Sequence, residues 1–123
     1  MIKANITTTG STLFISHSDG HQSTIEFKFP IIATEKSPDQ NWLFIVTEPS
    51  PEHSQAENLL AIDLTQCKLV WEKTASKIRS RNNIYTQIRF SLTDDCLLAW
   101  DWDGYKTWID PVTGQEKASH FLK

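Results

Sequence analysis

Apolar and polar residues alternate with a period of two along most of this chain, and no window carries an apolar stripe at helical spacing for three turns. Successive side chains of a strand point to opposite faces, so this pattern describes half-buried strands and leaves little room for helices. The runs that read as strands are Thr12 to Ser16, Ser23 to Phe29, Trp42 to Thr47, Leu59 to Leu64, Lys68 to Lys73, Ile84 to Ser91, Cys96 to Trp102, Tyr105 to Asp110 and Gln115 to Leu122. Turn signals separate them: Asp19-Gly20, Ser37-Pro38-Asp39, Asp94-Asp95, Asp103-Gly104 and Asp110-Pro111-Val112-Thr113-Gly114. Two polar stretches, Glu48 to Asn58 and Thr74 to Asn83, read as loops, the first because Pro49 and Pro51 lack the donor a central strand needs. The expected fold is all-β, with antiparallel meander sheets in a single domain over residues 1–123.

Asp103-Gly104 between two β-rich runs is the strongest local hairpin signal and favours a two-residue type I′ turn. That turn would set Trp102 opposite Tyr105, Asp101 opposite Lys106 and Trp100 opposite Thr107. Trp100 and Trp108 would then lie on opposite, largely buried faces, so the hairpin is expected to be covered on both sides, as in stacked sheets.

Three stretches align with one another: Thr9 to Ser16, Ser37 to Ile45 and Ser91 to Trp100, each a polar turn feeding an apolar strand. The last two resemble the "SPDG-x-x-L" turn and strand of β-propeller blades. Leu59 to Trp71 resembles the "L-x-A-x-D-x-x-T-G-K-x-x-W" stretch of quinoprotein-type blades, with Gln66-Cys67 where the usual glycine would stand, and Trp108 to Glu116 resembles the strand-turn-strand of WD-type blades. The resemblance implies about three blade-like units. Closed propellers take roughly four to eight blades of about 40 residues, so it does not imply a ring closed by this chain.

A net charge of -3 and a pI near 5.7 argue against direct binding of nucleic acid or an anionic membrane, which draws on clustered Lys and Arg. The charge is uneven. Lys68, Lys73, Lys77, Arg79, Arg81 and Arg89 crowd one stretch, and Asp94, Asp95, Asp101, Asp103 and Asp110 follow it. Cys67 and Cys96 stand alone, with no CxxC pair and no Cys-His ligand spacing, and read as reduced thiols. Whether they approach each other is open. Neither a signal-peptide run nor an apolar stretch of spanning length is present, which places the expected location in the cytoplasm.

No catalytic motif survives inspection. Asp101 and Asp103 alternate onto one face of a strand, but at a hairpin tip they are expected to be solvated, with Lys106 opposite Asp101. His17 and His21 flank a tight turn and would collect a metal only with further ligands that the local sequence does not supply; His53 and His120 are remote. With four glycines there is neither a Gly-x-Gly-x-x-Gly loop nor a P-loop, and no serine sits in a nucleophile elbow. No cofactor and no metal are expected.

These readings converge on a non-catalytic protein-binding module whose partner presents a basic surface. Its expected contact residues are Asp94, Asp95, Asp101, Trp102, Asp103 and Tyr105. Carboxylates that mimic a phosphate substrate, with an aromatic anchor, suit an immunity or antitoxin protein that plugs a bacterial toxin such as a nuclease. In size and character the chain is similar to the small β-rich immunity proteins of contact-dependent toxin systems. The alternative is a structural or interaction domain resembling a propeller fragment that self-associates through an edge strand, so a monomer or a weak homo-oligomer is expected.

Overall fold

The computed structural model describes residues 4–48, 58–73, 85–101 and 104–122. Among these there are eleven strands and no helix, in three antiparallel sheets that each follow chain order. Sheet 1 holds β1 (Ala4–Thr9), β2 (Thr12–His17) and β3 (Gln22–Glu26). Sheet 2 holds β4 (Ile31–Lys36), β5 (Trp42–Thr47), β6 (Leu59–Asp63) and β7 (Lys68–Lys73). Sheet 3 holds β8 (Tyr85–Ser91), β9 (Cys96–Asp101), β10 (Tyr105–Ile109) and β11 (Glu116–Phe121). The all-β meander architecture expected from the alternation is therefore present. Of the two expected loops, Glu48 to Asn58 and Thr74 to Asn83, residues 49–57 and 74–83 lie outside the described residues.

The sheets stack, and the middle one explains the most apolar run in the sequence. In β5, Leu43 and Ile45 point to one side and join Leu13, Ile15, Ile62 and Leu64 in a core between sheets 1 and 2. Phe44 and Val46 point to the other side and join Leu59, Ala61, Leu97, Ala99 and Ile109 in a core between sheets 2 and 3. A strand covered on both faces cannot alternate in polarity, so Leu43 to Val46 is uniformly apolar and buried. Burying each such side chain contributes about 1.5–3 kcal/mol.

Two strands escaped the pattern. β1 reads Ala-Asn-Ile-Thr-Thr-Thr, and it is a strand because β2 supplies a full ladder, from Ala4 opposite His17 to Thr9 opposite Thr12. β4, just after Pro30, reads Ile-Ile-Ala-Thr-Glu-Lys, three apolar residues followed by three polar ones rather than an alternation; it sits beside β8, where the Glu35 carboxylate accepts the Phe90 N–H at 2.7 Å.

Sheet 3 corrects the hairpin register. Lys106 stands opposite Trp100, Thr107 opposite Ala99 and Trp108 opposite Leu98, one residue away from the pairing a two-residue turn would impose. The Gly104 N–H closes the connection on the Asp101 carbonyl at 3.2 Å, and Gly104 has φ +92°, so the turn joins Asp101 to Tyr105 across three residues. Of the expected pair Trp102 and Tyr105, Trp102 lies outside the described residues, as does Asp103.

A one-residue slip moves every side chain to the other face. Trp100 and Trp108 therefore share a face, with the Lys106 ammonium 5.7 and 4.9 Å from their ring centres. Both indoles are half-buried rather than fully covered. The opposite face of the hairpin, with Leu97, Ala99 and Ile109, packs on sheet 2. Among the described residues the sheet covered on both sides is sheet 2, not the hairpin.

Candidate functional site

The β4–β5, β6–β7, β8–β9 and β10–β11 turns all lie at one end of the stack. Leu64 N–H donates to the Asn41 carbonyl at 2.9 Å and joins the first two. Among the described residues, a cleft opens at this end on each side of sheet 2.

The cleft between sheets 2 and 3 has a volume of about 500 Å³, and Asp39, Asp95 and Asp110 reach it from three separate turns. Trp42, Phe44, Phe90 and Lys117 line it as well. Each aspartate is placed by turn chemistry. Asp39 accepts from the Ser37 hydroxyl and from the Asn41 N–H, and these bonds hold its carboxyl below the ordinary aspartate range. Asp110 accepts the Val112 N–H at 2.9 Å, and Asp95 occupies the left-handed position of its turn at φ 51°.

The β10–β11 loop is fastened to sheet 2 by a direct bond and a close approach. Trp71 Nε1–H donates to the Pro111 carbonyl at 2.9 Å. Gly114, at φ +78°, lies so near the Trp71 ring that a Cβ there would stand 2.7 Å from it. No other residue type fits that approach without displacing the indole, which explains the glycine in the blade-like Asp110 to Gly114 turn.

A buried amide ties the same two sheets at the opposite end. Asn58 is 1% exposed; its side-chain N–H groups donate to the Thr47 and Tyr85 carbonyls at 3.1 and 2.7 Å, and its Oδ1 accepts the Tyr85 N–H at 3.1 Å. The sequence reading placed Asn58 in a polar loop. An asparagine closing a Pro-rich segment just before an apolar strand was the available signal.

The cleft between sheets 1 and 2 is smaller, about 330 Å³, and its chemistry differs. Its lining includes His17 from the end of β2, Asp19 and His21 from the β2–β3 turn and Cys67 from the β6–β7 turn. His17 Nε2 is 3.0 Å from Cys67 Sγ, and the two imidazole rings are 5.9 Å apart. Asp19 accepts the His21 N–H and so shapes the turn. The local sequence around the histidines could not show Cys67, which comes from 50 residues away. Among the described residues no group of three or more His, Cys, Asp or Glu is arranged to hold a metal ion.

Of the expected contact residues, Trp102 and Asp103 lie outside the described residues, and the other four are spread along sheet 3. Asp94 and Asp95 sit at the turn leading into β9, and Asp101 sits at its far end. Asp101 is 6% exposed, not solvated, and accepts the Tyr105 N–H at 3.0 Å; Lys106 is not opposite it. Asp94 accepts Trp108 Nε1–H at 3.1 Å. Tyr105 stacks at a tilt against Phe121, 5.0 Å between ring centres. Of the four that are described, Asp95 lines the acidic cleft.

Comparison with solved structures defines the class of fold. The chain is similar to the WD40 domain of Neurospora crassa Pan2, with 15% identity and a TM-score of 0.61, over 94% of this chain and 32% of that one. It is similar also to U3-55K, with 9% identity and a TM-score of 0.71, over 97% of this chain and 36% of that one. The RRP9 WD40 repeats give 9% identity and a TM-score of 0.69, over 97% and 35%. At these identities the likeness is one of fold: the three sheets are propeller-type blades, and the chain spans about a third of each of these structures. Residues 4–121 match the family described as Domain of unknown function (DUF7957), and the chain belongs to that family. None of the curated proteins matches it in sequence.

Proposed function

We propose that this protein is a non-catalytic protein-binding module that receives a basic segment of its partner in the cleft between sheets 2 and 3. The observation that carries this reading is the convergence of Asp39, Asp95 and Asp110, from turns far apart in sequence, on an opening walled by Trp42 and Phe90. Carboxylates beside aromatic faces suit an Arg or Lys side chain, whose stem packs on the rings while its head is paired. The blade fold supports the reading by presenting several turns at one end of a rigid stack, where contact residues vary without disturbing the core. The basic-surface partner expected from the charge distribution is retained, with Asp39 and Asp110 taking the place of Asp101 in its contact surface.

A toxin with a phosphate-binding, basic active site has this chemistry, and neutralisation of such a toxin is the narrower form of the proposal. The test has two parts. Titration with Arg- and Lys-containing peptides at two ionic strengths should show binding that weakens with salt and falls about tenfold in an Asp95→Asn, Asp110→Asn double variant, for two lost charge-assisted contacts. Unchanged affinity in that variant rejects the cleft. Co-expression with a nuclease toxin whose active site binds the purified protein then tests the narrower form: failure to restore growth removes the neutralising role while leaving peptide binding intact.

A further inference from the structure

The smaller cleft carries chemistry that the binding reading does not use. The chain contains two thiols in contrasting surroundings. Cys96 is buried at 1% exposure, and burial, then the charge of Asp94, push its thiol up. Cys67 is part-exposed and lines an open cleft, with an imidazole nitrogen 3.0 Å from its sulfur. With its own proton on Nδ1, His17 presents Nε2 as an acceptor for the thiol proton, which is the arrangement that activates a cysteine nucleophile.

Three features make this pair a site rather than a chance contact. The partners come from different sheets, so the fold rather than local sequence brings them together. The cleft is polar, lined by Ser18, Ser23, Thr65 and Gln66, and its volume of about 330 Å³ suits a small molecule. Cys67 also occupies the left-handed position of its turn at φ 54°, where the sister turn in sheet 3 has Gly114.

We propose that Cys67 and His17 form a reactive thiol site that exchanges with small disulfides of the glutathione class. In the step, the Cys67 thiol proton passes to His17 Nε2 as Sγ attacks one sulfur of the disulfide. The Sγ–S bond forms, the disulfide S–S bond breaks, and the departing thiolate takes the proton held by His17. One disulfide is consumed and one mixed disulfide is formed, so no other oxidant or reductant is required.

The test follows glutathionylation of the intact protein by oxidised glutathione, with Cys67- and Cys96-containing peptides read separately by mass spectrometry. Cys67 in the folded chain should react about tenfold or more faster than the same cysteine in the urea-unfolded chain, and Cys96 should be protected on folding. A His17→Gln variant, checked for native far-UV circular dichroism, should lose about tenfold of the Cys67 rate, consistent with removal of a general base. Iodoacetamide in place of the disulfide should reproduce the order, which separates thiol activation from recognition of the glutathione arm. A folded-to-unfolded ratio near one overturns the proposal without reliance on any variant. An unchanged rate in a folded His17→Gln protein overturns it as well, because His17 would then be a packing neighbour only. Neither result bears on peptide binding in the acidic cleft.

Discussion

The two clefts that flank sheet 2 are built from the same parts and differ in what those parts carry. Each opens between turns of adjacent blades, and each has a turn shaped by an aspartate two residues before the N–H it accepts, Asp110 in one and Asp63 in the other. In the larger cleft the position of the β10–β11 turn that needs positive φ holds Gly114, pressed beneath Trp71. In the smaller one the corresponding position of the β6–β7 turn holds Cys67, with room for a side chain that reaches His17. The backbone geometry is common property of the blades, whereas the chemistry depends on whether a neighbouring ring leaves space above the turn. That difference lets Cys67 reach His17, whereas the acidic, aromatic mouth comes separately from Asp39, Asp95 and Asp110 on three turns beside Trp42 and Phe90.

The largest expected effect concerns the cores that hold the clefts apart. Phe44→Ala should cost about 3–5 kcal/mol, because it empties the layer between sheets 2 and 3. Urea denaturation followed by tryptophan fluorescence measures it. A cost below about 1 kcal/mol would show that the layer collapses freely and that the larger cleft has no rigid wall.

Exchanging the residues at the two matched turn positions should have unequal consequences. Gly114→Ala forces a Cβ to 2.7 Å from the Trp71 ring and should cost about 1–3 kcal/mol, with a change in near-ultraviolet circular dichroism as the indole moves. Cys67→Gly should stay within about 0.5 kcal/mol of neutral, since relief of the left-handed conformation offsets the added chain entropy and the lost thiol contact. Equal costs at both positions would erase the distinction between the clefts.

The smallest effect is electrostatic. The Asp39 carboxyl is held below its ordinary value by the Ser37 hydroxyl and the Asn41 N–H. A depressed folded value means that the stabilisation is present above the unfolded aspartate pKa and is lost as pH falls through the lower, folded value. Asp39→Asn should therefore reduce stability slightly at neutral pH and flatten the acid limb below about pH 4. Superimposable acid limbs in the parent and the variant would mean that Asp39 is an ordinary solvated carboxylate, with consequences for the acidic cleft alone.

Much of this was legible in the residues. Trp42 to Thr47 reads as a strand and the repeated turn-then-strand units read as blade-like, whereas the covering of Leu43 to Val46 on both faces, expected instead for the hairpin, came from the sheets packed on either side. The hairpin register was misread because Asp-Gly favours a two-residue turn in isolation, whereas this chain spends three residues there, with Gly104 at positive φ closing on Asp101. That slip carried Trp100 and Trp108 onto one face and Asp101 into the interior.

What the sequence determined by itself is the kind of element at most positions, because strand periodicity and turn chemistry act over a few residues. What the tertiary structure decided is which distant residues meet. Asp39, Asp95 and Asp110 converge, as do His17 and Cys67, only when the blades stack with their turns at one end. Local patterning contains the face on which a side chain lies but not the sheet that will lie against it, since that is settled by burial of apolar area summed over the whole stack.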